Sequence, residues 1–229
     1  MAPNKNRKAV VLLSGGLDSA TVLYWSLAQG WRPLGLLFDY GQRHRRELSS
    51  ARALCRRARA PFHIVKFKLP WKGSTLLDPA SRLPSLRPSQ IGRAVPSTYV
   101  PARNTIFLSF GLSCAEVAGA GAVMIGANAL DYSGYPDCRP DYIRAMGRVY
   151  GLGSKAGRGG KDIKIVAPLL KYSKAQIVEL GARLGVPFEQ TWSCYQGGKI
   201  PCGICDSCRL RARGFRQAGI PDPARTRIN

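Results

Sequence analysis

The hexapeptide SGGLDS, Ser14 to Ser19, constrains this chain more than any other feature. A short apolar run from Lys8 to Leu13 leads into it, and a stretch with apolar residues at helical spacing, Ser19 to Gln29, leaves it. That order reads as a buried strand, a tight turn and a helix. Gly15 and Gly16 let the backbone turn sharply and come close to a ligand. The amides that follow, with the helix N-terminus, face an anion. Ser14 and Ser19 add hydroxyl donors. Asp18 is acidic, so its expected work is to hold the loop or to help position Mg²⁺ rather than to touch phosphate directly. The loop has neither the Gly-Lys-Ser/Thr ending of a Walker sequence nor the spacing of G-x-G-x-x-G.

The same alternation continues along the chain. Leu34 to Asp39, Phe62 to Phe67, Ala122 to Gly126 and Ile163 to Val166 are predicted as strands. Between them Arg45 to Arg59, Arg103 to Gly119 and residues 140–150 are predicted as helices. Ser173 to Leu184 follows as a helix with Ser173 as its N-cap and Gly185 as its stop, and Asp206 to Ala218 as a last one. The proline-rich stretch 69–101 and residues 127–139 and 151–161 read as loops. Strands alternating with helices imply an α/β fold: a doubly wound, parallel five-stranded sheet whose ligands sit at the carboxyl ends of strands. Residues 1–190 are expected to form that domain, and residues 191–229 a C-terminal segment packed on it.

With 229 residues, 45% hydrophobic and 21% charged, the chain can bury a core and is not disordered. No apolar run approaches ~18 residues, so no transmembrane helix is expected. The polar, basic start and the short apolar stretch Ala9 to Leu13 do not make an export signal. A cytoplasmic location follows as the expectation, and in a reducing compartment seven cysteines need a reason other than disulfides. The formal net charge of +22 favours polyanions. The basic residues are spread, however, and their densest stretches, Arg43 to Arg59 and Arg209 to Arg216, are interrupted by apolar residues, as on solvated helix faces. Contact with nucleic acid is compatible with the charge and is not required by it.

Cys194, Cys202, Cys205 and Cys208 form C-x7-C-x2-C-x2-C, with Gly203 supplying a turn. Two-residue gaps bring thiolates onto one ion, and four sulfurs suit structural Zn²⁺. An iron–sulfur cluster is the competing occupant. Cys55 and Cys114 fall on predicted helices and read as small core residues.

The glycine loop resembles the PP-loop of the ATP pyrophosphatases, which cleave ATP between its α and β phosphates. Further segments extend the likeness: YGQRH (Tyr40 to His44), VPARN (Val100 to Asn104), SGYPDCR (Ser133 to Arg139), TWSCY (Thr191 to Tyr195), CGICDSCRLR, and GF-x-x-AG-x-x-D from Gly214 to Asp222. In this order they resemble the 7-cyano-7-deazaguanine synthase family over nearly the whole chain. The resemblance implies a HUP-like fold, a homodimer and a structural zinc on the four C-terminal cysteines. It also implies the reaction. ATP activates 7-carboxy-7-deazaguanine, ammonia captures it as an amide, and a second activation eliminates the amide oxygen to leave a nitrile. Nucleotide contacts are then expected from Leu13, Ser14, Gly15, Gly16, Leu17, Asp18, Ser19 and Ala20, with Mg²⁺ on the triphosphate.

That chemistry gives further residues a part. Asp18, Ser19 and Arg103 are the expected catalytic residues, Arg103 because a guanidinium fork suits carboxylate or phosphate. Asn104 is a candidate for an exocyclic group, or an ordinary polar residue at a helix start. Asp137 is a candidate acceptor for the N–H groups of the base, or the anchor of a turn beside Pro136. Tyr132 and Tyr135 are candidates for stacking on the deazapurine, and Asp131 for Mg²⁺. Gln42 and His44 are expected on the ATP or ammonia side, and Cys138 carries little weight as a nucleophile. Two other readings stay open: an adenylating thiolase that modifies tRNA, and a nucleotide-binding zinc module without catalysis. The charge, and the basic tail PARTRIN after Asp222, depart from the family pattern.

Overall fold

The structure, a computed structural model, describes residues 7–71, 73–78, 80–85, 94–128 and 135–224. In chain order the elements are β1 (Lys8–Leu12), α1 (Leu17–Ala28), β2 (Arg32–Asp39), α2 (Arg46–Arg57), β3 (Phe62–Lys66), α3 (Arg103–Ala118), β4 (Ala122–Met124), α4 (Pro140–Gly153), α5 (Lys155–Arg158), β5 (Lys164–Val166), α6 (Lys174–Arg183) and α7 (Asp206–Gln217). Short 3-10 turns lie at Pro136–Cys138 and Phe188–Gln190.

The five strands form one parallel sheet in the order β3-β2-β1-β4-β5. Val10 of β1 sits opposite Leu34 on one side and Val123 on the other. The chain therefore winds outward from β1 to β3, then returns to start again at β4. The direction reverses between β1 and β4, and the turn leaving β1 is SGGLDS. Ligands of such sheets bind at that reversal.

β1 shows why the sheet is apolar on both faces. Successive side chains point to opposite sides. Ala9, Val11 and Leu13 pack with Leu23, Leu54, Ile177 and Phe215, from α1, α2, α6 and α7. Val10 and Leu12 pack with Leu108, Leu112 and Ile143, from α3 and α4. Because Phe215 belongs to the first of these cores, the C-terminal helix is fastened to the same sheet. Among the described residues no helix is long and apolar enough to cross a membrane.

The predicted elements recur, with shifts at their ends. α1 starts at Leu17, so Asp18 lies in its first turn. α6 carries the expected cap: Gln176 N donates to Ser173 Oγ (3.3 Å), and Ser173 N donates to Gln176 Oε1 (2.9 Å). The stretch 151–161, expected as loop, holds the end of α4 and the single turn α5. Ser154 Oγ accepts from Gly157 N (3.0 Å) and caps that turn, a local bond that the surrounding glycines hide. Part of the proline-rich stretch is tied down by Arg43, whose guanidinium donates to Ser81 O (2.7 Å) and whose backbone N donates to Leu76 O (2.8 Å).

Candidate active site

A cavity of about 250 Å³ opens at the carboxyl ends of β1, β2 and β4, and the glycine loop forms part of its wall. Gly15 has φ +91, and a Cβ there would run into the Glu47 carbonyl and stand 2.7 Å from Ala51 N. Only glycine lets the loop lie this close to the first turn of α2. On the other side, a Cβ on Gly126 would be 3.0 Å from Ser19 N, so the chain leaving β4 abuts the start of α1. Ser19 Oγ donates to Gly16 O (3.1 Å), accepts from Gly15 N (3.2 Å) and lies 3.0 Å from Ser14 Oγ. Trp192 N donates to Gly15 O (2.9 Å) and joins the loop to the cysteine segment. Leu13, Ser14, Gly16, Leu17, Asp18 and Ser19 line the cavity; Gly15 and Ala20 pack behind it.

Asp18 is held by Lys174 at the start of α6. Lys174 Nζ donates to both carboxylate oxygens at 2.8 Å, and the two side chains are 6% and 19% exposed. Lys174 borders the cavity. Sequence reasoning missed it. The available signal was a lysine in the first turn of a helix, where the dipole disfavours a cation.

Arg103 opens α3 after Ala102, whose φ of 53 is left-handed. Burial lowers the pKa of its guanidinium, but Tyr40, Tyr135 and Asp137 around it raise it further, so the cation is secure. Burial raises the Tyr40 phenol, which bonds to Arg103. Below them the Phe38 and Phe107 rings stack at 3.9 Å and 1°, giving the cavity a flat apolar wall. Glu47, from the first turn of α2, also faces the cavity and was not anticipated. Burial pushes its carboxyl up to about 7, with Arg103 pulling down and Cys194 pushing up.

Asp137 turns toward α3. Its Oδ2 accepts from Asn104 N (3.0 Å), and Asn104 Nδ2 donates to Asp137 O (3.2 Å) and Cys138 Sγ (3.3 Å). Asp137 thus stands behind Asn104 and Cys138, which do line the cavity. Its Oδ1 is buried with no hydrogen-bond partner among the described residues, and burial raises its pKa. Burial also pushes the Cys138 thiol up to about 12, which leaves it protonated and a poor nucleophile. Tyr135 borders the cavity with its hydroxyl 2.8 Å from Thr98 Oγ1. Gln42 braces the turn after β2, accepting from Tyr40 N (2.8 Å) and donating to Phe38 O (3.1 Å). Burial lowers the pKa of His44, which bonds to the backbone of Cys194 and Tyr195. Asp131 and Tyr132 lie outside the described residues.

The sulfurs of Cys194, Cys202, Cys205 and Cys208 all lie within 4.8 Å of one another, and all four residues are buried. Gln196 N and Cys202 N donate to Cys194 Sγ (3.4 and 3.3 Å), and Cys205 N to Cys202 Sγ (3.4 Å). Hydrogen bonds from the Cys205 and Cys208 thiols hold Cys194 well below the usual thiol range. Four converging sulfurs with amides aimed at them fit a thiolate-bound metal ion. None of the four borders the cavity. The cluster instead fixes Trp192 and its neighbours: Trp192 Nε1 donates to Cys194 O (2.8 Å) while its backbone N reaches the glycine loop.

Residues 8–219 match the model of the family described as "Queuosine biosynthesis protein QueC". The chain belongs to the QueC family. It is 57% identical over 219 residues to the 7-cyano-7-deazaguanine synthase of Trichodesmium erythraeum, covering 94% of this chain and 99% of that protein. The corresponding enzyme of Nostoc punctiforme is 56% identical, with 94% and 98% covered. Among solved structures, a 4-thiouridine synthetase–RNA complex with bound ATP superposes with a TM-score of 0.51 at 19% identity, covering 93% of this chain and 50% of that one. That likeness is one of fold alone.

The closing GF-x-x-AG-x-x-D segment of this QueC chain also finds its reason. Arg211 of α7 pairs with Asp222 (2.9 Å) and donates to Thr191 Oγ1 (2.6 Å) and Phe188 O (3.2 Å). One buried guanidinium therefore ties the chain end to the segment that enters the cysteine cluster.

Proposed function

We propose that this chain converts 7-carboxy-7-deazaguanine, ammonia and ATP into 7-cyano-7-deazaguanine through an acyl adenylate, an amide and a second adenylation. The near full-length identity to 7-cyano-7-deazaguanine synthases carries the reading. A carboxylate is a poor electrophile, and adenylation gives it a leaving group. Dehydrating the amide needs the same activation at its oxygen, so one adenylating cavity serves both halves.

The residues divide that work. The loop from Leu13 to Ala20 holds the phosphates, with Gly16 and Ser19 at the cavity wall and Gly15 behind. Asp18 keeps Lys174 beside them. Arg103 draws the substrate carboxylate toward the ATP α-phosphate and offsets their repulsion. Phe38, Phe107 and Tyr135 offer surfaces to the flat rings, and Asn104 a polar contact. Asp137 holds Asn104, and its free Oδ1 is the acceptor left for the base. From the sequence alone, Asp131 is assigned to Mg²⁺ and Tyr132 to stacking.

The four cysteines hold Zn²⁺. Bonds of about 2.3 Å at tetrahedral angles put sulfurs about 3.8 Å apart, inside the 4.8 Å within which all four lie here. A cube of iron and sulfide would push them outward. The ion supplies rigidity to residues 191–229, and the adenylating chemistry stays with residues 1–190. All seven cysteines are free, which suits a reducing cytoplasm. The active form is a homodimer, which α3 supports: its inner face is in the core while Phe110 and Val117 are exposed.

Incubation with 7-carboxy-7-deazaguanine, ATP, Mg²⁺ and ammonium, followed by mass spectrometry, tests the proposal. The amide should appear first and the nitrile after it, with AMP and pyrophosphate. Finding no nucleotide cleavage, no amide and no nitrile would overturn it. The net charge of +22 favours one second reading, a tRNA base thiolase; a brown protein whose RNA affinity falls steeply with salt would support that instead.

A further inference from the structure

Glu47 stands apart from the other acidic side chains around the site. Asp18 is paired with Lys174, Asp39 with Arg45 and Asp222 with Arg211. Among the described residues no hydrogen bond or ion pair reaches the Glu47 carboxylate, although it is half-buried and faces the cavity. The chain has 35 lysines and arginines against 13 acids, so a cationic partner would be easy to supply. The cation felt most at this carboxylate is Arg103 of α3, which makes no hydrogen bond or ion pair with it among the described residues, so its oxygens are left to take donors from a ligand in the cavity.

The substrates of the proposed reaction narrow that ligand. ATP and the carboxylate of 7-carboxy-7-deazaguanine are anions that Glu47 repels, and the N–H edge of the base is assigned to Asp137 above. Ammonium is the remaining substrate, and it is a cation with four donors. We propose that Glu47 binds ammonium in the cavity and removes protons from its nitrogen in both halves of the reaction. This inference rests on the nitrile-forming reading above.

In the first half ammonium gives one proton to the carboxylate. The freed lone pair forms the carbon–nitrogen bond, the bond from carbon to the adenylate oxygen breaks, and AMP leaves with that electron pair. The new nitrogen then sheds a second proton, and the amide results. In the second half the amide oxygen attacks the ATP α-phosphorus, pyrophosphate leaves, and the nitrogen loses a proton to give an adenylated imidate. Removal of its last N–H proton forms the carbon–nitrogen triple bond while AMP departs. The nitrogen losing protons at the end is the nitrogen that arrived as ammonium, so one carboxylate at one place serves throughout. Burial, opposed by Arg103 of α3, raises the Glu47 carboxyl, in the direction that suits a group that must both take and release a proton.

The test uses the full-length protein and its Glu47→Gln and Glu47→Asp variants. Exchange of labelled pyrophosphate into ATP, driven by 7-carboxy-7-deazaguanine, reads adenylation alone. Hydroxylamine, uncharged at neutral pH, reads capture that needs no prior deprotonation. Glu47→Gln should keep exchange and hydroxamate formation within about two-fold of wild type and lose amide formation from ammonium by about 10²-fold or more. Glu47→Asp should recover part of the loss. Amide formation by Glu47→Gln at the wild-type rate would overturn the proposal. So would loss of exchange, or of hydroxamate along with amide, because each assigns Glu47 to adenylation or to the fold. Wild type that shows no exchange with this acid brings down the functional reading, and the proposal with it.

Discussion

The bond between Lys174 and Asp18 joins residues 156 positions apart, and it sets the charge beside the glycine loop. Asp18 alone would repel a triphosphate; covered by Lys174 it becomes, in the proposed reaction, a support that aims a cation at the phosphates. The pair is almost dry, with Lys174 only 6% exposed. Lys174→Met should lower kcat/KM for ATP by about 10²-fold, the usual effect of removing one preorganised positive group. It should also destabilise the fold by about 3 kcal/mol, since Asp18 is left without its partner. Adding Asp18→Asn should restore most of that stability in urea melts and none of the activity. If the double variant stays as unstable as Lys174→Met, the loss comes from packing and not from the stranded carboxylate. The loop itself was legible because its glycines and hydroxyls act on near neighbours: Ser19 closes on Gly15 and Gly16. Lys174 and Glu47 were not, because their meaning arises only when α6 and α2 are brought to the loop from distant parts of the sequence.

At the scale of elements, the apolar runs and the strand–helix alternation were enough to place all five strands and the longer helices. A buried parallel strand needs both faces apolar, and KAVVL shows that directly. α5 escaped because a one-turn helix rests on a single cap bond among glycines. Asp137 shows a contact that its motif did not reveal: one of its oxygens closes the start of α3, which leaves the other for the proposed base contact. The cysteine cluster was legible from spacing, yet its relation to the site was not. Trp192 provides that relation, bonded to Cys194 O at one end and to Gly15 O at the other. Cys205→Ser should therefore release the bound ion, lower the melting temperature by roughly 10 °C, and weaken ATP cleavage although none of the four clustered cysteines borders the cavity. Metal analysis and calorimetry measure the first two effects. Unchanged metal content and melting would mean that the cluster does not brace the segment.

For the whole molecule, charge and apolar surface make opposite demands. Two copies carrying +22 each repel at long range, and repulsion of that kind is screened by salt. α3 offers the short-range attraction. Leu108, Leu112 and Ala115 are buried against the sheet, while Phe110 is 38% and Val117 89% exposed on the other side. The exposed face is mixed, with Ser109 and Ser113 beside these two apolar residues, as at a contact that forms between separately folded copies. Arg103 begins the same helix, so a contact there would steady the residue proposed to draw in the carboxylate. Association through α3 should strengthen as salt rises, because screening removes the repulsion and leaves the apolar contact intact. Binding of a polyanion would change in the opposite direction. Light scattering across a salt series separates the two. Phe110→Glu with Val117→Glu should yield a monomer at every salt concentration. A dimer that persists in that variant, or one that falls apart as salt is added, would show that the subunits meet elsewhere.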